Sequence, residues 1–247
     1  METHSLDAII CDFRFMILDL IHRIKRKLVK LRLQPIRVYC LHHVCAEFDS
    51  DSMNACDWMQ IDEFKKKVAA MQQDGVEFIS LKEAYRHICN DRIRSKKYAV
   101  LTFDDGYASL KEILPWLDEQ NIPATLFLNP AYLDGKHYRK RETEMYLTEK
   151  ELKQIGEQYP LLTIGSHGWE HIEVSELNKH QFEESVSRST TYLSQLPNYI
   201  PFFAFPYGRG AKENVDVLQS KSLIPVFVKG NGNYNDKQAI HRELLEV

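Results

Sequence analysis

The sequence predicts an α/β fold in which parallel strands alternate with helices. From residue 36 onward, short runs rich in β-branched and aromatic residues alternate with helix-like stretches, and this alternation is typical of parallel sheets. Polar motifs follow the ends of successive predicted strands, which is where the active sites of parallel barrels form. No glycine-rich nucleotide loop follows the first strand, which argues against a dinucleotide-binding fold.

Composition indicates a globular protein. The chain has 247 residues, 44% hydrophobic and 27% charged, with a net charge of −3, so it is long enough for a full core and shows no sign of a nucleic-acid partner. The five cysteines are an odd number without metal-like spacing, which argues against a disulfide framework and favours a reducing compartment. They are Cys11, Cys40, Cys45, Cys56 and Cys89.

The first 34 residues form a separate segment. Apolar residues recur every three or four positions between Leu6 and Leu31, which predicts one face of an amphipathic helix that Pro35 ends. The segment carries seven basic and four acidic residues, so it is +3 while the remainder is −6. Two interpretations stay open: a helix packed on the domain or on a second subunit, and an interfacial helix on anionic lipid. The predicted boundaries are therefore a helical segment at 1–34 and a catalytic domain at 35–247.

The remaining elements follow from apolar period and from capping residues. For example, Phe64, Val68 and Met71 share a helical face that Gly75 terminates, and Thr148 with Glu151 forms a capping box. Strands are predicted at 36–44, 76–81, 98–103, 124–128, 161–165, 202–205 and 223–228, and helices at 61–74, 110–117, 148–158, 175–196 and 214–221.

The adjacent carboxylates of Asp104 and Asp105 follow a predicted strand. Two ionised carboxylates side by side repel each other, and a cation that neutralises one of them relieves the repulsion. One carboxylate then binds the metal, and the other remains free to accept a proton from water. The alternative is a simple Asp-Gly turn in which the first Asp caps a helix.

His167 and His171 form a second polar motif at a strand end. A spacing of four on a helical turn brings two imidazoles to one point, and this pattern suits zinc and similar transition metals. One Asp and two His leave coordination positions open, which is typical of a catalytic site. A third motif, Phe205-Pro206-Tyr207-Gly208, predicts either a plain turn or a cavity wall whose backbone N–H groups hold an oxyanion.

Together, Thr-Phe-Asp-Asp-Gly, His-x-x-x-His and Phe-Pro-Tyr-Gly resemble the motifs of the polysaccharide deacetylases, the NodB-homology or carbohydrate esterase 4 group. The resemblance runs from about residue 36 onward. It implies a distorted (β/α) barrel of seven or eight strands and one divalent metal ion, usually zinc, with cobalt or nickel as alternatives. It also implies removal of an acetyl group from an N-acetylated sugar of a glycan. Carried over by residue, Asp104 is the general base, Asp105, His167 and His171 are metal ligands, and the backbone N–H of Tyr207 helps to hold the oxyanion.

Two departures from the family pattern concern the other catalytic groups. Ala204 occupies the position of an arginine that orients the base, and Arg242 is the expected replacement. The usual C-terminal Leu-x-His is missing, since His241 is the one histidine after Gly208. The chain instead resembles the branch with a histidine on the first strand, which makes His42 the predicted general acid and His43, one residue on, the weaker candidate. The His42 ring is expected on the open side of the metal, opposite Asp104.

These expectations define a metal-dependent deacetylase of a surface glycan or its precursor. The alternatives are an amidase acting on a non-sugar amide and a non-catalytic sugar-binding module. A free base beside three ligands argues against the module. No run of about 18 apolar residues predicts a membrane span, and Asp12, Arg14 and Asp19 interrupt the apolar residues 8–21, which argues against a signal peptide. The expected location is therefore cytoplasmic, with peripheral membrane contact or self-association through residues 1–34.

Overall fold

A computed structural model describes residues 35–47, 58–90, 96–135, 146–228 and 239–245. The predicted amphipathic helix at 1–34 lies outside these residues, so the predicted domain boundary stays a prediction. Among the helices described, none is both long enough and apolar enough to cross a membrane.

The strands are numbered in chain order. They are β1 (Ile36–Leu41), β2 (His43–Cys45), β3 (Trp58–Gln60), β4 (Val76–Phe78), β5 (Lys97–Phe103), β6 (Ala124–Leu128), β7 (Leu162–Ser166), β8 (Tyr199–Ala204), β9 (Ile224–Val228) and β10 (Ile240–Leu244).

Seven of these strands close a parallel barrel in the part of the chain that the structure describes. Their order is β1-β10-β9-β8-β7-β6-β5, and pairing of β5 with β1 closes the ring. The barrel is distorted because one edge of β5 serves two neighbours: β4 pairs with its first half and β6 with its second half. A register shift between β7 and β8 adds a second irregularity. The predicted distorted barrel is therefore confirmed.

Helices cover the barrel between the strands. They are α1 (Ile61–Gln73), α2 (Leu81–Cys89), α3 (Leu110–Glu119), α4 (Glu149–Gln158), α5 (Lys179–Leu193) and α6 (Lys212–Ser220). The capping box of Thr148 and Glu151 starts α4 as predicted. Helix α2 was not predicted, although its buried Leu81, Ala84 and Ile88 follow a helical period.

The barrel interior is apolar towards the amino ends of the strands and polar towards their carboxyl ends. Side chains alternate along a strand, so Ile36 and Val38 of β1 point inward with the next alternate residue, Cys40. On β10 the same alternation points Ile240 and then Arg242 inward. Helix α2 contributes to the apolar cluster at the amino ends of the strands. The polar layer lies at the carboxyl ends of the strands and forms the floor of the site.

Candidate metal centre and active site

The turn after β5 brings two neighbouring carboxylates into one cavity. The backbone N–H of Asp104 donates to the carbonyl of Leu41 at 2.9 Å, which continues the β1–β5 pairing. Asp105 and Gly106 then adopt positive φ values of 71° and 89°. A left-handed Asp is strained by about 1–3 kcal/mol. The conformation turns the Asp105 side chain to the side that Asp104 already faces.

Asp105, His167 and His171 form a compact group of ligand atoms. Oδ1 of Asp105 lies 3.4 Å from Nε2 of His167 and 3.4 Å from Nε2 of His171. Metal–ligand distances of about 2.0–2.2 Å in a tetrahedral zinc site place neighbouring nitrogen and oxygen ligands about 3.4 Å apart. Oδ1 of Asp105 is buried and has no hydrogen-bond partner among the described residues. Because an unpaired buried carboxylate oxygen is costly, these residues fit a divalent cation.

The backbone around the ligands fixes how they face the site. Nδ1 of His167 donates to the carbonyl of Ala204 at 2.8 Å, which leaves Nε2 as the lone-pair nitrogen on the Asp105 side. The backbone N–H of His171 donates to Oη of Tyr132 at 2.6 Å. The expected helical turn between the histidines is wrong: residues 167–171 form an irregular loop, with Gly168 at a φ of 86°.

Charges within the group attract a cation, whether a proton or a metal ion. Burial acts to raise the pKa of Asp105, but its contacts with His167 and His171 lower it below the ordinary value. Burial acts to lower the pKa of His167, but Asp104 and Asp105 raise it overall. A metal ion bound here would therefore displace a proton from a histidine whose nitrogen already points at a carboxylate.

Arg242 orients the second carboxylate. Its Nη1 and Nη2 donate to Oδ1 and Oδ2 of Asp104 at 2.6 and 2.7 Å, and Nη1 also donates to Oγ1 of Thr102 at 3.0 Å. Sγ of Cys40 donates to Oδ2 of Asp104 at 3.4 Å. Burial acts to raise the pKa of Asp104, but Arg242 outweighs it and holds this pKa at about 2. The structure thus places Arg242 beside Asp104, where the arginine missing at Ala204 was expected to act.

The three candidate histidines occupy different places. His42 sits in a bend between β1 and β2 and lines the cavity, with a ring nitrogen within 4.8 Å of an Asp104 oxygen. It therefore lies beside Asp104, whereas the expectation placed it on the opposite side. His43 faces away: its ring stacks on Tyr107 at 3.8 Å, and Nδ1 lies 3.1 Å from Oγ of Ser109. His241 stacks on Phe227, on the outward side of β10.

Tyr207 lies at the rim of the cavity. It has a φ of 56°, the residue is 59% exposed, and its ring centre lies 4.7 Å from that of His171. The following Gly208 is tightly enclosed, because an added Cβ would lie 2.4 Å from Cβ of Val228. The backbone of the predicted oxyanion motif is therefore held against β9.

One cavity of about 330 Å³ is lined by the predicted base, the predicted acid, the three predicted metal ligands and Tyr207: His42, Asp104, Asp105, His167, His171 and Tyr207. Its lining includes residues that the sequence did not single out, above all Cys40, Tyr107, Val228 and Leu244. The inward period of β1 offered a signal for Cys40, since it follows Ile36 and Val38 at spacings of two. The apolar lining residues come from separate strand ends, and nothing in their local sequence marks them.

Comparisons with known proteins agree with the fold and the motifs. The family model described as "Polysaccharide deacetylase" matches residues 91–224, which is more than half of the 247 residues. The chain therefore belongs to the polysaccharide deacetylase family. The matched range contains Asp104, Asp105, His167, His171 and Tyr207, whereas His42 and Arg242 lie outside it.

Individual relatives are distant. "Putative polysaccharide deacetylase YxkH" of Bacillus subtilis (strain 168) is 24% identical over 159 residues, which is 64% of this chain and 53% of that protein. The chain thus spans about half the length of this relative. The solved structure of IcaB from Ammonifex degensii is 22% identical, with a TM-score of 0.72 over 87% of this chain and 94% of that one. The Streptococcus pyogenes deacetylase PplD, in complex with acetate, is 20% identical, with a TM-score of 0.72 over 85% and 92%. At these identities, both structures establish the fold.

Proposed function

We propose that this protein is a metal-dependent hydrolase that removes an acetyl group from an N-acetylated sugar of a surface glycan or its precursor. The observation that carries the proposal is the pairing of two sites in one cavity. Asp105, His167 and His171 fit a metal ion, and Asp104 beside them is held ionised by Arg242. A structural metal site has no use for a second, separately oriented carboxylate, whereas hydrolysis needs one as a base.

Asp104 accepts the proton of the attacking water in this proposal. The two contacts from Arg242 fix the plane of the carboxylate and keep it charged, since its pKa lies at about 2. A divalent ion held by the three ligands would polarise the acetyl carbonyl and acidify water, which a base as weak as Asp104 requires.

The remaining groups act on the developing charges. The backbone N–H of Tyr207 stabilises the oxyanion that forms at the acetyl carbon. His42 donates a proton to the departing sugar amine, because an unprotonated amine is a poor leaving group. This proposal is supported by the position of both residues, which line the same cavity as Asp104.

The direct test is acetate release from a panel of acetylated glycans with added zinc, cobalt or nickel. We expect release from an N-acetylated oligosaccharide, and its loss after chelation and in Asp104→Asn. Hydrolysis of acetylated peptides or anilides without activity on any sugar would favour the amidase alternative. Sugar binding without acetate release under any metal would favour the non-catalytic module.

The N-terminal segment supports a further part of the proposal, which concerns location. Its predicted apolar stripe and net charge of +3 suit a subunit contact or an anionic lipid surface at the cytoplasmic side. Deleting residues 1–34 should change the mass measured by light scattering or the binding to anionic vesicles, while metal binding persists. Unchanged mass and unchanged vesicle binding would instead indicate a helix packed on its own domain.

A further inference from the structure

A second cluster of metal-ligating side chains lies in the cavity, beside the first. Cys40, His42 and Asp104 each offer one ligand atom, and these atoms all lie within 4.8 Å of one another. Cys40 lies on β1, His42 follows the end of β1, and Asp104 follows the end of β5. The first group consists instead of Asp105 and two histidines of the loop after β7. We infer that these three residues form a second site, for a thiophilic divalent ion such as Zn²⁺ or Cd²⁺, and that its occupation inhibits the enzyme.

The thiol and the carboxylate already have the separation that a shared ion needs. Sγ of Cys40 lies 3.4 Å from Oδ2 of Asp104, joined by an S–H donor. Zinc bound tetrahedrally at about 2.3 Å from sulfur and about 2.1 Å from oxygen sets these two atoms about 3.6 Å apart. An ion can therefore replace the thiol proton with little movement of either residue, and the proton leaves to solvent.

Arg242 does not close this position. Each carboxylate oxygen has two acceptor positions, and Arg242 uses one on Oδ1 and one on Oδ2 of Asp104. The position on Oδ2 that accepts the Cys40 thiol is the one that the ion takes. His42 completes the set with a shift of at most about 1.3 Å, since its ring nitrogen lies within 4.8 Å of both other ligand atoms and neighbouring sulfur and nitrogen ligands of zinc lie about 3.5 Å apart. The bend that breaks the strand at His42, together with its partial exposure, leaves room for that shift.

The three donor atoms determine which ions bind here and why a bound ion would inhibit hydrolysis. A thiolate with an imidazole and one carboxylate selects soft or borderline ions and disfavours Mg²⁺ and Ca²⁺. The inhibition rests on the proposed function, because it follows from the roles of Asp104 as base and His42 as acid. An ion bound to both would block proton transfer at each end of the reaction.

The test uses the full chain and titrates Cd²⁺, whose bond to a thiolate gives an ultraviolet charge-transfer band. We expect two equivalents to bind, and the band to appear with one of them. Cys40→Ser should lose the band and one equivalent, weakening that site by more than about 100-fold, because loss of even an outer-shell partner costs about 10–100-fold. Cys45→Ser, at another buried thiol, is the matched control and should keep both.

Two further variants keep the inference testable if Cys40→Ser folds poorly. Asp105→Ala should lose the equivalent that binds to Asp105, His167 and His171 but retain the band. His42→Gln should weaken only the equivalent that gives the band. A band that persists in folded Cys40→Ser, or a wild-type stoichiometry of one, would overturn the second site.

Activity then tests the inhibition separately. Excess Zn²⁺ should slow acetate release by wild type and slow it far less in Cys40→Ser, each compared with its own rate at one equivalent. Binding of the second equivalent without slower release would overturn the inhibition. Failure of every substrate would count against the proposed function, while the Cd²⁺ titration would still decide the second site.

Discussion

Arg242 on β10 holds both carboxylate oxygens of Asp104 at the end of β5, although 138 residues separate them in the chain. The pair lies fully inside the protein, where the guanidinium is also 5.1 Å from the ring centre of Phe127. Each partner is therefore the main compensation for the buried charge of the other.

Arg242→Met should destabilise the protein by about 3–5 kcal/mol, because it leaves the Asp104 carboxylate buried without its partner. Urea unfolding of the metal-free protein measures this directly. Adding Asp104→Leu should recover much of the loss, since an apolar pair of similar size replaces the ion pair. No recovery in the double variant would mean that Arg242 acts mainly through contacts other than Asp104.

Asp104→Asn should lower turnover by about 10²–10⁴-fold with metal content unchanged, because the amide keeps the shape of the side chain but accepts no proton. The measurements are initial rates and metal analysis of the same preparation. Loss of the metal with an intact fold would mean that Asp104 is a ligand and that the two aspartates have exchanged roles.

His171→Ala should sharply weaken metal binding and abolish activity, since two protein ligands hold a zinc ion poorly. Isothermal titration with Zn²⁺ gives the affinity. The His167→Ala, His171→Ala double variant is the stricter test: full occupancy of the first site in that protein would rule out the assigned centre.

His42→Gln should reduce turnover of an N-acetyl substrate by about 10²–10⁴-fold and affect an aryl acetate much less, because an aryl oxide leaves without a proton. His241→Gln is the matched control, as this ring packs on Phe227 outside the barrel interior. Equal losses on amide and ester would indicate that His42 supports the site in some way other than as an acid.

His43 should make folding stability depend on pH. Burial, followed by the charge of His42, lowers the pKa of His43 from 6.5 to about 4. Below about pH 6.5 the unfolded chain therefore binds a proton at His43, whereas the folded protein binds it only near pH 4. The free energy of unfolding falls as the pH drops through this window, by about 3 kcal/mol at most. Unfolding of metal-free wild type and His43→Gln between pH 4 and 7 should differ in slope, and parallel curves would show that His43 does not titrate in this way.

The sequence was most informative where one local pattern determines the structure. Strand β5 is buried from Ala99 to Phe103 and is apolar there except for Thr102, so its end, and the carboxylates that follow it, could be located. The capping box of Thr148 and Glu151 likewise located the start of α4. Each of these signals lies within a few neighbouring residues.

Features that depend on distant contacts were harder to predict. Helix α2 is nine residues long, and its apolar positions serve the barrel interior rather than a long outer face. The loop between His167 and His171 is shaped by Asn129 and Tyr132, which hydrogen bond to its backbone from another part of the chain. Arg242 was placed near Asp104 through family resemblance, because no local pattern connects residues so far apart.

The pairing of β10 between β9 and β1 has a consequence for synthesis on the ribosome. Residues 91–224 hold every residue matched by the family, yet a nascent chain that has reached only residue 224 still lacks the guanidinium that Asp104 requires. In such an intermediate the Asp104 carboxylate has no guanidinium partner and is costly to bury, so we expect the barrel to stay open beside β5. The proposed activity should therefore appear only after β10 emerges and inserts, so that products terminated before β10 carry the motifs without the activity.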